Sequence, residues 1–128
     1  MILVVDDFPS SRRVIALALK TAGYEVMSAA SSAEAVALLN KHDFQLVITD
    51  LVMPGLNGSY LAKAIRLKWP KIPVILMSGH VPADAGKGIL NEAAAFLQKP
   101  IEPTDLVSAV ERVLPMRPAR ETQKRTLP

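Results

Sequence analysis

Ile2-Leu3-Val4-Val5-Asp6-Asp7 opens the chain, and its form recurs as Leu46-Val47-Ile48-Thr49-Asp50: a short β-branched apolar run that stops on carboxylates. Val74-Ile75-Leu76-Met77 repeats it with Ser78-Gly79 at the end, and Ala95-Phe96-Leu97 is soon followed by Lys99-Pro100. Nearly continuous apolar runs of this length suit strands of a parallel sheet that is covered on both faces. With Tyr24–Ser28 they make five strand candidates: Ile2–Val5, Tyr24–Ser28, Leu46–Thr49, Val74–Met77 and Ala95–Leu97.

Segments of helical period lie between them, at about Ser11–Ala22, Ser32–Lys41, Gly58–Lys68, Ala83–Asn91 and Thr104–Leu114. This alternation is the pattern of an α/β fold. Ser31 followed by Glu34 forms a capping box, Gly23 can stop the first helix, and Pro103 suits the first turn of the last. Leu106, Val107, Val110, Val113 and Leu114 fall on one face of the last helix, which predicts packing on the sheet. The segment from Pro82 to Asn91 reads poorly as a helix. It carries Gly86 and Gly88, each costing about 1 kcal/mol against alanine in a helix interior, so a short or mobile helix or an irregular connector is expected.

Half of the 128 residues are apolar, enough for one domain with a real core. There are no cysteines, which removes disulfides, thiolate nucleophiles and thiolate metal sites and fits a reducing cytoplasm. No signal peptide is visible, and the longest apolar run, Val14 to Leu19, is far short of the roughly 20 residues a membrane helix needs. A soluble, cytoplasmic protein is expected. The net charge of +3 lies entirely in the stretch from Pro115 to Pro128, where Arg117, Arg120, Lys124 and Arg125 stand against Glu121. With Pro115, Pro118 and Pro128 and no aromatic residue, that stretch reads as a disordered tail or linker rather than a nucleic-acid arm. The domain proper is expected over residues 1–114 and the tail over 115–128, with no direct nucleic-acid or membrane partner.

In an open parallel sheet the ligand site lies beyond the carboxyl ends of the strands, near the reversal of strand order. Here those ends carry Asp6 and Asp7, Asp50, Ser78 and Lys99. Each residue alone has an ordinary reading, as a cap, a turn residue or a solvated cation. Together they make a site. Three carboxylates at one edge repel one another by several kcal/mol unless a cation joins them, and hard oxygen ligands suit Mg²⁺. Phosphoryl transfer needs little beyond such positioning and charge stabilisation. One of the carboxylate oxygens would attack in line, with Lys99 and the Ser78 hydroxyl on phosphoryl oxygens, to give an aspartyl phosphate.

Val4-Val5-Asp6-Asp7, Asp50-Leu51-Val52-Met53-Pro54-Gly55 with Gly58, Ser78-Gly79 and Lys99-Pro100, in that order, resemble the signature of the response-regulator receiver domain of two-component signalling. The resemblance covers about Ile2 to Leu114. It implies a flavodoxin-like, chemotaxis-regulator-like fold: a doubly wound five-stranded parallel sheet of order 2-1-3-4-5 with five helices. By the same likeness Asp50 is the phosphoacceptor, fed by a sensor histidine kinase or histidine phosphotransfer protein. Asp7 would be the direct Mg²⁺ ligand, Asp6 the water-mediated one, Asp50 a ligand as well, and the backbone carbonyl of Val52 the third protein donor.

The resemblance further implies a switch formed by Ser78 and Phe96, although Phe96 lacks the hydroxyl of many relatives and could be ordinary core. Val52 and His80 match positions that tune phosphoryl lifetime; His80 could equally be a solvent-exposed loop histidine, and His42 reads as surface. Pro9, Ser11, Arg12, Pro100 and Ile101 are candidates for docking the phosphoryl donor. An unknown downstream protein, or a homodimer through the fourth helix, fifth strand and fifth helix, would read the signal. Rival classes fit less well. An aspartyl-nucleophile hydrolase would place a second Asp where Val52 stands, and a flavodoxin-type carrier would not follow its first strand with Asp6-Asp7. A non-phosphorylated scaffold of the same fold is disfavoured because every expected reactive residue is present.

Overall fold

The computed structural model of the chain describes residues 1–51, 58–79 and 93–114. Their elements are β1 (Ile2–Val5), α1 (Pro9–Thr21), β2 (Val26–Ala29), α2 (Ser32–Lys41), β3 (Leu46–Asp50), α3 (Gly58–Lys68), β4 (Val74–Ser78), β5 (Ala95–Gln98) and α4 (Pro103–Val113). The five strands form one parallel sheet in the order β2-β1-β3-β4-β5. The helix candidate at 83–91 and the tail at 115–128 lie outside the described residues.

The period of two along each strand builds two cores. Ile2, Val4, Leu46, Ile48, Ile75 and Met77 turn to one side, where Ile15 and Leu19 of α1 and Leu106, Ala109 and Val110 of α4 cover them. Leu3, Val5, Val47, Val74 and Leu76 turn to the other, under Ala35 and Leu39 of α2 and Leu61, Ala62 and Ile65 of α3. β1, β3 and β4 are buried along their whole length, which is why they read as unbroken apolar runs. The chain steps from β1 outward to β2 and then back across to β3, with α1 on one face and α2 on the other. Right-handed crossovers require this change of face, and it puts the reversal of strand order between β1 and β3.

The element ends differ slightly from the sequence expectation, each for a physical reason. α1 starts at Pro9 rather than Ser11, because a proline in the first turn loses no hydrogen bond and already has helical φ. Gly23 follows the C-cap with φ of +100°, a conformation that a Cβ would strain. The Tyr24 N–H still bonds the Leu19 carbonyl of that helix end, so β2 begins only at Val26. At α2 the Ser31 hydroxyl accepts from the Glu34 N–H at 3.1 Å, and the Glu34 carboxylate returns to the Ala30 N–H at 2.6 Å. The box is present but its return bond lands one residue early.

Candidate functional site

Backbone ladders deliver the reactive side chains to one edge. The Asp6 N–H extends the β1–β2 ladder onto the Ala29 carbonyl at 3.1 Å, and Asp50 ends β3 opposite Met77 of β4. Ser78 ends β4, and the Lys99 N–H bonds its carbonyl at 2.8 Å, carrying the β4–β5 pairing one residue beyond Gln98. Four of the five strands therefore end within one cluster, at the carboxyl edge and beside the topological switch.

Within it, Lys99 Nζ donates to Asp50 Oδ2 at 3.0 Å and to Asp6 Oδ2 at 3.3 Å. Asp6 is fully buried and Asp50 is 8% exposed. Burial alone would pull the Lys99 ammonium down. The hydrogen bond and charge of Asp50, with the charge and hydrogen bond of Asp6, outweigh it and hold Lys99 above its ordinary value of 10.5. Because the folded value is the higher one, the stability from this cation is fully present below about pH 10.5 and is lost as pH rises through the raised value. Lys99 is thus a fixed positive charge at any physiological pH.

The two members of the Asp6-Asp7 pair have different duties. Asp6 Oδ1 accepts the Phe8 N–H at 3.0 Å, and Asp6 Oδ2 accepts the Ser11 hydroxyl at 2.7 Å besides Lys99. Its carbonyl accepts Arg12 Nη1 at 2.7 Å. Its carboxylate is hence well supplied with donors and fixed in place. Asp7 is half-buried and has no hydrogen-bond or ion-pair partner among the described residues. One carboxylate oxygen from each of Asp6, Asp7 and Asp50 lies within 4.8 Å of the others, so the donors converge on a space of ionic size. Three hard oxygen donors, two of them buried, against one directly bonded ammonium leave excess negative charge that suits a divalent cation such as Mg²⁺.

The cluster has a measurable consequence for Asp7. Like charges about 4.8 Å apart repel by roughly 3 kcal/mol at an effective dielectric constant of about 20, and partial exposure lowers this to about 1 kcal/mol. Asp7→Asn should therefore raise the unfolding free energy of the metal-free protein by about 1 kcal/mol and reduce the further gain that Mg²⁺ gives the wild type. Urea unfolding with EDTA and with Mg²⁺ reads both signs. A destabilised metal-free variant would contradict the repulsion.

A response regulator receiver domain model matches residues 2–111, most of the chain and the whole of the sheet. The chain belongs to the response regulator receiver domain family. The receiver is a phosphoacceptor switch of two-component signalling, not a catalytic enzyme, and its acidic pocket is formed by Asp6, Asp7 and Asp50 with Lys99. The transcriptional regulatory protein GlrR of Escherichia coli (strain K12) is 35% identical over 115 residues, which are 88% of this chain and 26% of that protein. The chain thus spans about a quarter of the length of that relative. Among solved structures, the receiver domain of NtrX from Brucella abortus superposes with a TM-score of 0.84 at 32% identity, over 89% of this chain and 98% of that one. The response regulator TrrA from Thermotoga maritima, solved in complex with Mg(2+)-BeF, gives 0.81 at 30% identity over 88% and 97%.

In this receiver domain the remaining sequence candidates fall as follows. Ser78 is buried at the end of β4 beside Lys99, and Phe96 is half-buried on β5, packed on the α2 and α3 side. Val52 and His80 lie outside the described residues. Of the docking candidates, Pro9 and Pro100 are exposed, whereas Ile101 is half-buried against the α1 and α4 core. Ser11 and Arg12 turn out to hold Asp6. Sequence reading missed that duty, although an aspartate followed three residues later by a helix start is the setting of an Asx turn, as the Phe8 bond shows. His42 is exposed, its ring edge-on to buried Phe44 at 6.3 Å. No described helix is long and apolar enough to cross a membrane.

Proposed function

We propose that Asp50 accepts a phosphoryl group from the phosphohistidine of a sensor histidine kinase or phosphotransfer protein, and that the modified domain changes its contacts with a downstream protein. The observation that carries this reading is the meeting of Asp50, Asp6, Asp7 and Lys99 at the strand ends, with Asp50 held by Lys99 at 3.0 Å. An Asp50 oxygen forms the bond to phosphorus while the phosphorus–nitrogen bond breaks and its electron pair stays on the donor imidazole. Lys99 meets the charge on a phosphoryl oxygen, and Ser78, at the adjacent strand end, supplies a hydroxyl for another.

Mg²⁺ would be held by Asp7, Asp50 and the Val52 carbonyl, with Asp6 acting through water, and when bound it neutralises charge on the transferred group. The open valence of Asp7 and the filled one of Asp6 favour that division. Readout would run through Ser78 and Phe96, and Val52 and His80 would set the lifetime. The incoming donor would meet Pro9 and Pro100 at the rim of the site.

Incubation with a small acyl phosphate and Mg²⁺, followed by intact mass measurement, tests the reading. A single labile phosphoryl adduct is expected, and EDTA should suppress it. An adduct that forms equally in EDTA would contradict the part given to the metal.

A further inference from the structure

The acidic edge accounts for the strand ends but not for α3, which is apolar on two opposite sides. Leu61 and Ile65 are fully buried in the core, as a sheet-covering helix requires. Yet Tyr60 is 60% exposed and Leu67 is 85% exposed. Seven residues apart, they lie on one stripe of the helix, turned away from Leu61 and Ile65. No rotation of α3 could bury both stripes against the sheet.

The charge around that stripe is of one sign. Lys63, Arg66 and Lys68 are exposed on α3 and Lys71 is exposed just beyond it, while no Asp or Glu occurs between Asp50 and Asp84. Among the described residues none of these four cations is in an ion pair. Lys68 instead lies 5.1 Å from the ring centre of Trp69. The remainder of the chain up to Asp50 is acidic in balance, with Arg12, Arg13, Lys20 and Lys41 against Asp6, Asp7, Glu25, Glu34, Asp43 and Asp50.

We propose that the outer face of α3 docks an acidic amphipathic helix of a partner protein. Tyr60 and Leu67 are the apolar anchors, and Lys63, Arg66 and Lys68 are the cationic rim. An apolar centre bordered by charge is the anatomy of a protein interface. Two anchors two turns apart match the i, i+3/i+4, i+7 stripe of a partner helix, whose flanking carboxylates would meet the cations. A nucleic acid would set phosphates against the same cations and strand Leu67, the most exposed large apolar side chain among the described residues, against a charged backbone. A membrane surface calls for a wider apolar face than two side chains provide. The surface is independent of the phosphoacceptor reading, since it involves none of Asp6, Asp7, Asp50 or Lys99.

Trp69, the sole tryptophan of the chain, sits half-buried at the end of α3 and reports occupancy by its fluorescence. The probe is a short helical peptide with leucines at i, i+4 and i+7 and glutamates on both flanks. Its control carries lysines in place of the glutamates, and a DNA duplex and phosphatidylglycerol vesicles are titrated alongside. Saturable binding of the glutamate peptide is expected, weakened about tenfold or more by Leu67→Asp or by exchanging its glutamates for lysines. The pair Lys63→Glu and Arg66→Glu should reverse the preference between the two peptides. Circular dichroism checks that these surface variants stay folded, and Lys41→Glu on α2 should leave binding unchanged. No binding, equal binding of both peptides, indifference to Leu67→Asp, or tighter binding of the duplex or the vesicles would each overturn the proposal.

Discussion

Asp50→Asn is expected to leave the protein folded and to abolish its phosphoryl adduct. The asparagine keeps the size of the side chain but replaces the attacking oxygen pair with a neutral amide, which cannot form the acyl phosphate. Folding should survive because the substitution has opposing electrostatic effects. It weakens the attraction to Lys99 at 3.0 Å and relieves repulsion from Asp6 and Asp7, whose oxygens come within 4.8 Å of Asp50. Unfolding free energy is therefore expected to move by no more than about 1 kcal/mol, while adduct formation disappears. Intact mass after acid quench and a urea titration measure the two quantities on the same sample. An adduct on the asparagine variant would place the chemistry elsewhere.

Lys99→Ala is expected to act on both quantities, slowing the reaction and weakening the fold together. Lys99 is the one described residue whose side chain bridges Asp50 and Asp6, and its own side chain is 24% exposed. Removing it leaves two buried carboxylates facing each other without their shared donor, at a cost of about 1–3 kcal/mol. The loss should be smaller in Mg²⁺ than in EDTA, because a divalent cation restores part of the missing charge. Loss of a preorganised donor to a phosphoryl oxygen costs about a hundredfold in rate or more. Phosphorylation time courses with an acyl phosphate at saturating Mg²⁺ give that factor. An unchanged rate would remove Lys99 from the reaction and leave it a purely structural counter-charge.

These two residues show why so much was legible in the sequence. Asp50 and Lys99 are at or next to the ends of apolar runs, and parallel ladders convert a position in the sequence into a position at the sheet edge with little freedom. The same logic gave Asp6, Asp7 and Ser78, since β1 and β4 are buried on both faces and stop where polarity begins. The order of strands came from the family resemblance and is the order found.

What stayed hidden depends on bonds across turns. Nothing in the spacing of Asp6 and Ser11 says that a hydroxyl five residues on will reach the carboxylate. That contact requires α1 to begin at Pro9, two residues before the first clear helical signal. Ser11 and Arg12 consequently read as docking candidates for the phosphoryl donor, and the division of duties between Asp6 and Asp7 came from the family resemblance alone. Tyr24 opened the expected second strand, but its N–H is held by the end of α1. The exposed stripe of Tyr60 and Leu67 was also invisible as such, because a helix with apolar residues on two sides reads simply as a helix with a core face.

The most direct test of the account is to locate the phosphoryl group. Borohydride reduces an aspartyl phosphate to homoserine, so treating the phosphorylated protein and sequencing its peptides by mass marks the residue that carried the group. The account predicts homoserine at position 50 and nowhere else. Homoserine at position 6 or 7, or a stable phosphoryl group on Ser78 or His80 with position 50 unchanged, would contradict it.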